Sequence, residues 1–272
     1  MIRFDAYTAT TKDAKASQMA ALLFEPGCNP IQGKGFHTFA ERISFKDDTG
    51  VEYGSVSWGG LQGDRVMIEV KGERTPKVVE GLRSGFWHRV TRVDSCADFD
   101  APGSFERLLG PCEAVVESNR IYSQRLGDWD HFPELGRTYM MGSARSVSRV
   151  RLYEKGKQKE YAHLSRPNWA RLEVQVRPAK EAKDSYNRVT PIDVWGGSTW
   201  TRLLAAQLLA DHVDPHPAGT TYRLTQRDAA LQWMCKQYGA HLVDLANDLG
   251  RWDCVGLTLQ EIISAEAKKR RQ

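Results

Sequence analysis

The sequence predicts an α+β fold: a largely antiparallel sheet built from two β-α-β-β-β-α repeats with helices on one face, plus a C-terminal helical extension. Three observations lead there. Strand-like alternation and helical periodicity follow one another in the same order twice along the chain. The segment VMIEVKGERTPKVVEGL from Val66 resembles ARLEVQVRPAKEAKD from Ala170, which places Glu69 opposite Glu173 as an internal duplication would. Three strands each carry one apolar and one polar face. The expected organisation is a duplicated α+β domain over 1–190, with repeats of about 1–86 and 87–185, and a helical region over 191–272.

The elements follow in order. Residues 2–9 (IRFDAYTA) read as a strand and 13–24 (DAKASQMAALLF) as a helix that Pro26 and Gly27 terminate. Segments 36–46, 51–58 and 65–71 read as strands, the first two joined by a hairpin turn at Asp48-Thr49-Gly50. A short helix follows at about 75–84. The series then restarts: 88–99 (HRVTRVDSCADF) is strand-like and 103–118 mostly helical. After an irregular loop rich in Asp and aromatic residues come strands near 137–142, 147–155 and 168–177. Downstream, 198–212 reads as an amphipathic helix capped by Ser198, with Pro215 and Pro217 marking the break after it. Residues 225–249 read as a helix or helix pair interrupted near Gly239. A last helix starts at Thr258, whose spacing to Glu261 fits a capping box, and ends in Lys268-Lys269-Arg270-Arg271.

A chain of 272 residues with 41% hydrophobic and 26% charged residues has the composition of a globular protein and excludes disordered and fibrous classes. No stretch approaches the roughly 18 apolar residues of a membrane span, and the N-terminus lacks the apolar centre of a signal peptide, so a cytoplasmic location is expected. Five cysteines without a CxxC pair indicate neither a disulfide framework nor a zinc ribbon. The net charge of +4 is unevenly placed. Between Arg137 and Lys180 eleven Lys and Arg face three acids, so the remainder of the chain is net negative. Such local excess is the footprint of a nucleic-acid contact, although a solvated basic face would also produce it.

Alternation sorts the chemistry onto one surface. In WARLEVQVR, Ala170, Leu172, Val174 and Val176 form the core side, while Trp169, Arg171, Glu173, Gln175 and Arg177 point away. In SRVRLYEKG, Val150 and Leu152 join the core, leaving Arg149, Arg151, Tyr153 and Lys155 opposite. In RVTRVDSCAD, Arg92, Asp94, Cys96 and Asp98 share the polar face. Arginine offers bidentate donors to phosphate and lysine a mobile charge. Carboxylates without an evident lysine for each acid suit a hard divalent cation such as Mg²⁺ or Mn²⁺, and a tyrosine beside them could act as a nucleophile. Each residue also has a structural reading: Asp94 and Asp98 as surface acids neutralised by Arg92, Glu173 as the cross-strand partner of Arg151, and Tyr153 as a packed ring. The turn Gly142–Ser146 (GSARS) can present backbone N–H groups and Arg145 to a phosphate, or simply join two strands.

These residues carry a resemblance. The segment TYMMGSARSVSRVRLYEKGKQ, followed by NWARLEVQVR, resembles the signature region of the Rep_trans family of replication initiation factors. That family includes initiators of rolling-circle plasmids and filamentous phages, with relaxases of some conjugative elements as relatives. Its pattern is an R-x-D-x-x-x-D strand, here Arg92, Asp94 and Asp98, then a Y-x-G-S-x-x-S hairpin, a Y-x-K strand and an R-x-E strand. The hairpin is varied here, because Met140 and Met141 place Tyr139 three residues before Gly142. The segment Ala230–Gly250 resembles the family's helical tail, so the likeness spans about 90–250.

The resemblance implies a site-specific DNA strand transferase: a tyrosine attacks a phosphodiester at an origin, becomes joined to the 5′ phosphate and leaves a 3′ hydroxyl that primes rolling-circle replication. Carried over, Tyr153 is the nucleophile, and Lys155 and Arg151 neutralise the scissile phosphate. Asp94 and Glu173 are the foremost metal ligands, followed by Asp98 and Glu69, for Mg²⁺ or Mn²⁺. Arg92, Ser143, Arg145, Arg149, Lys157 and Arg171 fall where DNA would lie. The implied partners are origin DNA, single-stranded or hairpin at the nick, with a homodimer, a host helicase and a polymerase as further candidates and no membrane. A histidine-pair nuclease is disfavoured, since the only close pair is His212 with His216 in a Pro-rich loop. A tyrosine recombinase would place its tyrosine near the C-terminus. The alternative from another class is a non-catalytic, sequence-specific DNA-binding protein that regulates replication.

Overall fold

The computed structural model describes residues 2–209, 213–219 and 226–269. In its first half, β1 (Ile2–Thr11) leads to α1 (Ala16–Leu23), then β2 (Asn29–Lys34), β3 (Glu41–Lys46), β4 (Glu52–Trp58) and β5 (Val66–Lys71), and α2 (Thr75–Gly85). The second half repeats the series with β6 (Arg89–Phe99), α3 (Ser104–Ser118), β7 (Ser123–Leu126), β8 (Thr138–Met141), β9 (Ser148–Glu154), β10 (Ala170–Val176) and a short α4 (Ala182–Ser185). All ten strands join one antiparallel sheet in the order β2-β3-β4-β5-β1-β6-β10-β9-β8-β7. Exchanging each strand for its counterpart in the other half reproduces this order read from the opposite edge. The two opening strands, β1 and β6, pair at the centre.

Each half therefore holds four strands after its first helix, one more than the periodicity predicts. The additional strands, β2 and β7, are the two edges. β2 reads NPIQGK with every residue exposed, so it has no buried face to generate alternation, and its proline is tolerated because an edge strand has unpaired positions. The expected strand at 36–46 begins only at Glu41, because 35–40 forms a loop in which His37 and Thr38 both adopt positive φ. The turn after β3 is as expected: the Asp47 carboxylate accepts from the backbone N–H of Thr49 and Val51, and Gly50 takes the positive φ.

The core lies between the sheet and its helices. Val150, Leu152, Leu172, Val174 and Val176 are fully buried and belong to one apolar cluster with α1, α2, α3 and α5 (Thr199–Leu204). Burial of a Leu or Val side chain contributes about 1.5–3 kcal/mol, which fixes the register of β9 and β10, since a one-residue slip would put Arg151 and Glu173 into this cluster. Trp195, also fully buried, donates its indole N–H to Ser95 Oγ at 3.3 Å and so anchors the segment before α5. Ser198 opens α5 in a capping box with Thr201, and the helix runs on as a π turn over Ala205–Leu209.

The chain divides into two units, Met1–Thr221 and Tyr222–Gln272. The second unit contains α6 (Gln226–Leu249) and α7 (Trp252–Lys269). Two expectations are corrected there. Gly239 does not interrupt α6, because the ~1 kcal/mol that glycine costs in a helix is small against 24 residues of continuous hydrogen bonding. Thr258 is not a cap but an interior residue of α7, its hydroxyl donating to Cys254 O at 3.0 Å. His212, Arg270 and Arg271 lie outside the described residues. Among the described residues no helix is long and apolar enough to cross a membrane.

Candidate functional site

The sheet face away from the helices carries three polar rungs. Tyr153 on β9 stands opposite Arg171 on β10, which stands opposite Asp98 on β6. Arg151, Glu173 and Cys96 form the next rung, and Arg149, Gln175 and Asp94 the third. Partners directly opposite share a face, and diagonal neighbours lie ~7–8 Å apart, so Glu173 and Asp94 are within reach of common neighbours.

Hydrogen bonds connect the rungs. The Tyr153 hydroxyl donates to Glu173 Oε2 at 3.2 Å, and Arg151 donates to Oε1 of the same carboxylate. Arg92 grips Asp94 with two bonds, at 2.9 and 2.5 Å, and the Gln175 amide adds a third at 3.3 Å. Arg171 holds Asp98 through two 2.6 Å bonds and reaches Asp5 Oδ1 at 2.6 Å, while the Trp169 indole donates to Asp98 at 2.8 Å. Asp5 is brought within reach by an irregularity in β1, where the register with β6 shifts between Phe4 and Ala6.

The electrostatics follow from burial. Glu173 is 1% exposed, and loss of water pushes its carboxyl up to about 7; Arg151 opposes this, and the charges of Asp94 and Asp5 add to it. Arg151 keeps 40% of its side chain in solvent, so water weakens its hold on Glu173. Burial also raises the Tyr153 hydroxyl far above its ordinary value, with the charge of Glu173 adding and Arg171 and Arg151 opposing, so the phenol is protonated. Asp98 behaves differently. Burial would raise it, but its bonds to Arg171 and Trp169 prevail and it lies below the ordinary carboxylate range. Lys155 is lowered by burial and by the charge of Arg171.

β9 ends at Glu154, so Lys155 does not extend the strand face as alternation predicts. It starts a tight turn, is 5% exposed, and its ammonium lies 4.3 Å from the Tyr161 ring centroid and 5.0 Å from that of Trp169. The segment 155–169 folds back over this part of the face, tied by the Gly156 N–H to Trp169 O at 3.0 Å.

Of the residues picked out as metal ligands, Asp94, Glu173 and Asp98 share the face, each with an arginine partner. Arg92 on Asp94 and Arg151 on Glu173 are the pairs that the structural reading of the sequence gave, whereas Asp98 is held by Arg171 rather than by Arg92. Glu69, on β5, has only long bonds from Thr8 at 3.5 Å and Ser55 at 3.4 Å. No group of three or more His, Cys, Asp or Glu is placed to hold a metal ion among the described residues. Mg²⁺ is commonly held by one or two carboxylates together with waters and substrate phosphates, but Asp94, Asp98 and Glu173 are each engaged by an arginine and a second donor, so a cation at Asp94 and Glu173 would have to displace Arg92 or Arg151.

The residues picked out for DNA contact separate clearly. Arg171 is fully buried on two aspartates, which removes it from any surface role. Lys157 pairs with Glu154 at 2.8 Å and Ser143 with Ser146 at 2.9 Å, within a turn whose Gly142 has φ 86°. Arg92 is committed to Asp94. Arg145 is exposed, and Arg149 has no ion-pair partner among the described residues, with its Nε buried and lacking a hydrogen bond. Sequence reasoning missed Asp5, whose position depends on a strand irregularity that no motif announces.

No family model matches the sequence, and no curated protein matches it. Among solved structures, the rolling circle replication initiator protein from Geobacillus stearothermophilus superposes with a TM-score of 0.49 at 14% identity, over 72% of this chain and 84% of that one. A likeness at that level establishes neither a shared fold nor a shared activity.

Proposed function

We propose that the chain nicks one DNA strand through Tyr153, as the resemblance of its Y-x-K and R-x-E strands to the Rep_trans replication initiators implies. The observation that carries the reading is the convergence of the Tyr153 hydroxyl, the Glu173 carboxylate and the Arg151 guanidinium on one point of the polar sheet face, where the first two are buried and Arg151 is half-exposed. A tyrosine packed for structure alone has no need of a buried carboxylate as hydrogen-bond acceptor beside a half-exposed arginine.

The chemistry assigns each group a part. Glu173 accepts the phenolic proton as the Tyr153 oxygen attacks phosphorus, and the bond from phosphorus to the 3′ oxygen breaks. The 5′ phosphate then remains on the tyrosine, and the departing 3′ oxygen takes a proton from water. Arg151 lies where it neutralises charge on the phosphoryl oxygens. Lys155, turned under Tyr161, joins it only once the 155–169 segment lifts. A divalent cation held by Asp94 and Glu173 would supply charge stabilisation at the phosphate. Origin DNA, rolling-circle priming and the recruitment of helicase and polymerase belong to the same proposal.

The second reading, a DNA-binding protein without catalysis, is favoured by the arginines on Asp94, Asp98 and Glu173 and by the protonated, mostly buried tyrosine. Incubation with pooled supercoiled plasmids in Mg²⁺ or Mn²⁺ separates the two. Nicking by the parent protein and none by Tyr153→Phe is expected, whereas DNA binding with no nicking by either protein would leave the second reading in place.

A further inference from the structure

A second polar feature lies beside the rungs, where the open faces of β5, β1, β6 and β10 adjoin the 35–40 loop. It is a cleft of about 490 Å³ lined by Arg65, Arg89, Arg92, Arg177, Lys183 and His37, with Glu69 its single carboxylate. Two of these cations are neutralised locally, Arg89 by Asp184 at 2.9 Å and Arg92 by Asp94. Arg65 donates only to the Gln62 amide oxygen at 3.2 Å, Arg177 only to Ala144 O at 3.2 Å, and Lys183 has no carboxylate partner among the described residues. Three uncompensated cations and one acid leave the cleft suited to an anion.

Two independent features point to the kind of anion. First, the cationic track does not stop at the cleft. Arg177 follows β10 directly, on the same face as Gln175, which stands opposite Arg149. Arg149 is lowered by burial and by the neighbouring charges of Arg151 and Arg177, and its buried Nε lacks a partner. From Arg151 beside Tyr153, positive charge thus runs through Arg149 and Arg177 to Arg65, across β9, β10, β6, β1 and β5, roughly 19 Å at ordinary strand spacing. A single small anion would not need such a length, but a chain of phosphates would. Second, the wall of the cleft is a loop held in an unfavourable conformation. His37 and Thr38 have φ of 54° and 70°, and the Gln62 amide fixes them by bonds to His37 O and Thr38 Oγ1. Such strain concentrates where a binding surface is held ready. Here it presents the exposed His37 ring, set edge-on to Phe36 at 5.0 Å between centroids. An aromatic ring at the end of a cationic track is a stacking platform for an unpaired base, which a duplex would not offer.

We propose that this cleft holds a stretch of single-stranded DNA, its phosphates on Arg149, Arg177, Arg65 and Lys183 and a base on His37. The proposal deepens the nicking reading by giving the strand a path away from Tyr153.

The test is fluorescence anisotropy of the full chain with a labelled 12-mer of thymidylate, a 12-mer with abasic sites, and a 12-base-pair duplex, over a range of salt. Among the described residues neither Arg65 nor Lys183 has an ion-pair partner to strand, so Arg65→Ala/Lys183→Ala should unfold at the parent temperature. It should bind the thymidylate 12-mer at least tenfold more weakly and lower the slope of log K against log salt by about 1.4, about 0.7 for each lost phosphate contact. His37→Ala should weaken the thymidylate 12-mer and leave the abasic one unchanged. Unchanged affinity and slope in the double variant, or equal losses for duplex and single strand, would overturn the cleft. If nicking at Tyr153 occurs while the cleft variants bind normally, only the cleft proposal fails; cleft-dependent binding without nicking removes only the nickase.

Discussion

The Tyr153 hydroxyl donates to the Glu173 carboxylate at 3.2 Å across neighbouring strands, and both groups are buried there. Burial and the charge of Glu173 raise the phenol, and burial holds Glu173 itself up at about 7, so near neutral pH the pair carries either one negative charge or none.

That shift makes Glu173 a liability for stability. Its folded value lies above the roughly 4.3 of an unfolded glutamate, so between about pH 4.3 and 7 the folded chain keeps a proton that the unfolded chain has lost. Stability should therefore fall as pH rises through that window and level off above it, by an amount on the order of a few kcal/mol. Glu173→Gln should flatten this dependence and unfold at higher urea than the parent at pH 8. A steeper fall in the variant would mean that the Arg151 bridge outweighs burial.

Arg171 presents the opposite case. It is fully buried, and its loss would leave Asp98 and Asp5 with only Arg3, 3.6 Å from each, in place of its three 2.6 Å bonds. Arg171→Ala should lower stability by about 3–5 kcal/mol in urea denaturation, since removing one member of a buried pair exposes the full cost of the other. Arg145→Ala, an exposed change, should shift stability by less than about 0.5 kcal/mol.

Gly156 holds the 155–169 segment down. A methyl group there would fall on Arg166 O, a backbone atom that cannot move aside cheaply. Gly156→Ala should release the segment, and limited proteolysis should then cut between 157 and 168 where the parent resists. Equal resistance would show that the segment is held by Lys155 and Trp169 rather than by this close approach.

How far the site was readable from the sequence can be seen residue by residue. Val150, Leu152, Leu172 and Val174 alternate with Arg151, Tyr153 and Glu173, and burial of the first set fixes the second on one face, so the rungs followed from periodicity alone. The edge strands β2 and β7 were not readable, because NPIQGK and SQRL bury almost nothing and so leave no alternation. Arg92 on Asp94 and Arg151 on Glu173 were readable as neighbours within a strand and across two, but Arg171 on Asp98 was not, and it meets Asp5 from 166 positions away, through an irregularity in β1. Lys155 was misplaced because the pattern Y-x-K continues a strand on paper, whereas the backbone turns at Glu154. The cleft cations come from four separate segments, and only the palindromic strand order brings them together.

The central claim is that Tyr153 becomes covalently bonded to DNA, and the most direct measurement is to look for that bond. The full chain would be incubated with Mg²⁺ or Mn²⁺ and single-stranded oligonucleotides of randomised sequence, denatured, nuclease-trimmed and mapped by peptide mass spectrometry. A nucleotide phosphate on the peptide containing Tyr153, absent from Tyr153→Phe, is the expected result. A tyrosine-linked nucleotide on another peptide, or no adduct in a protein that still binds the oligonucleotides, would contradict it.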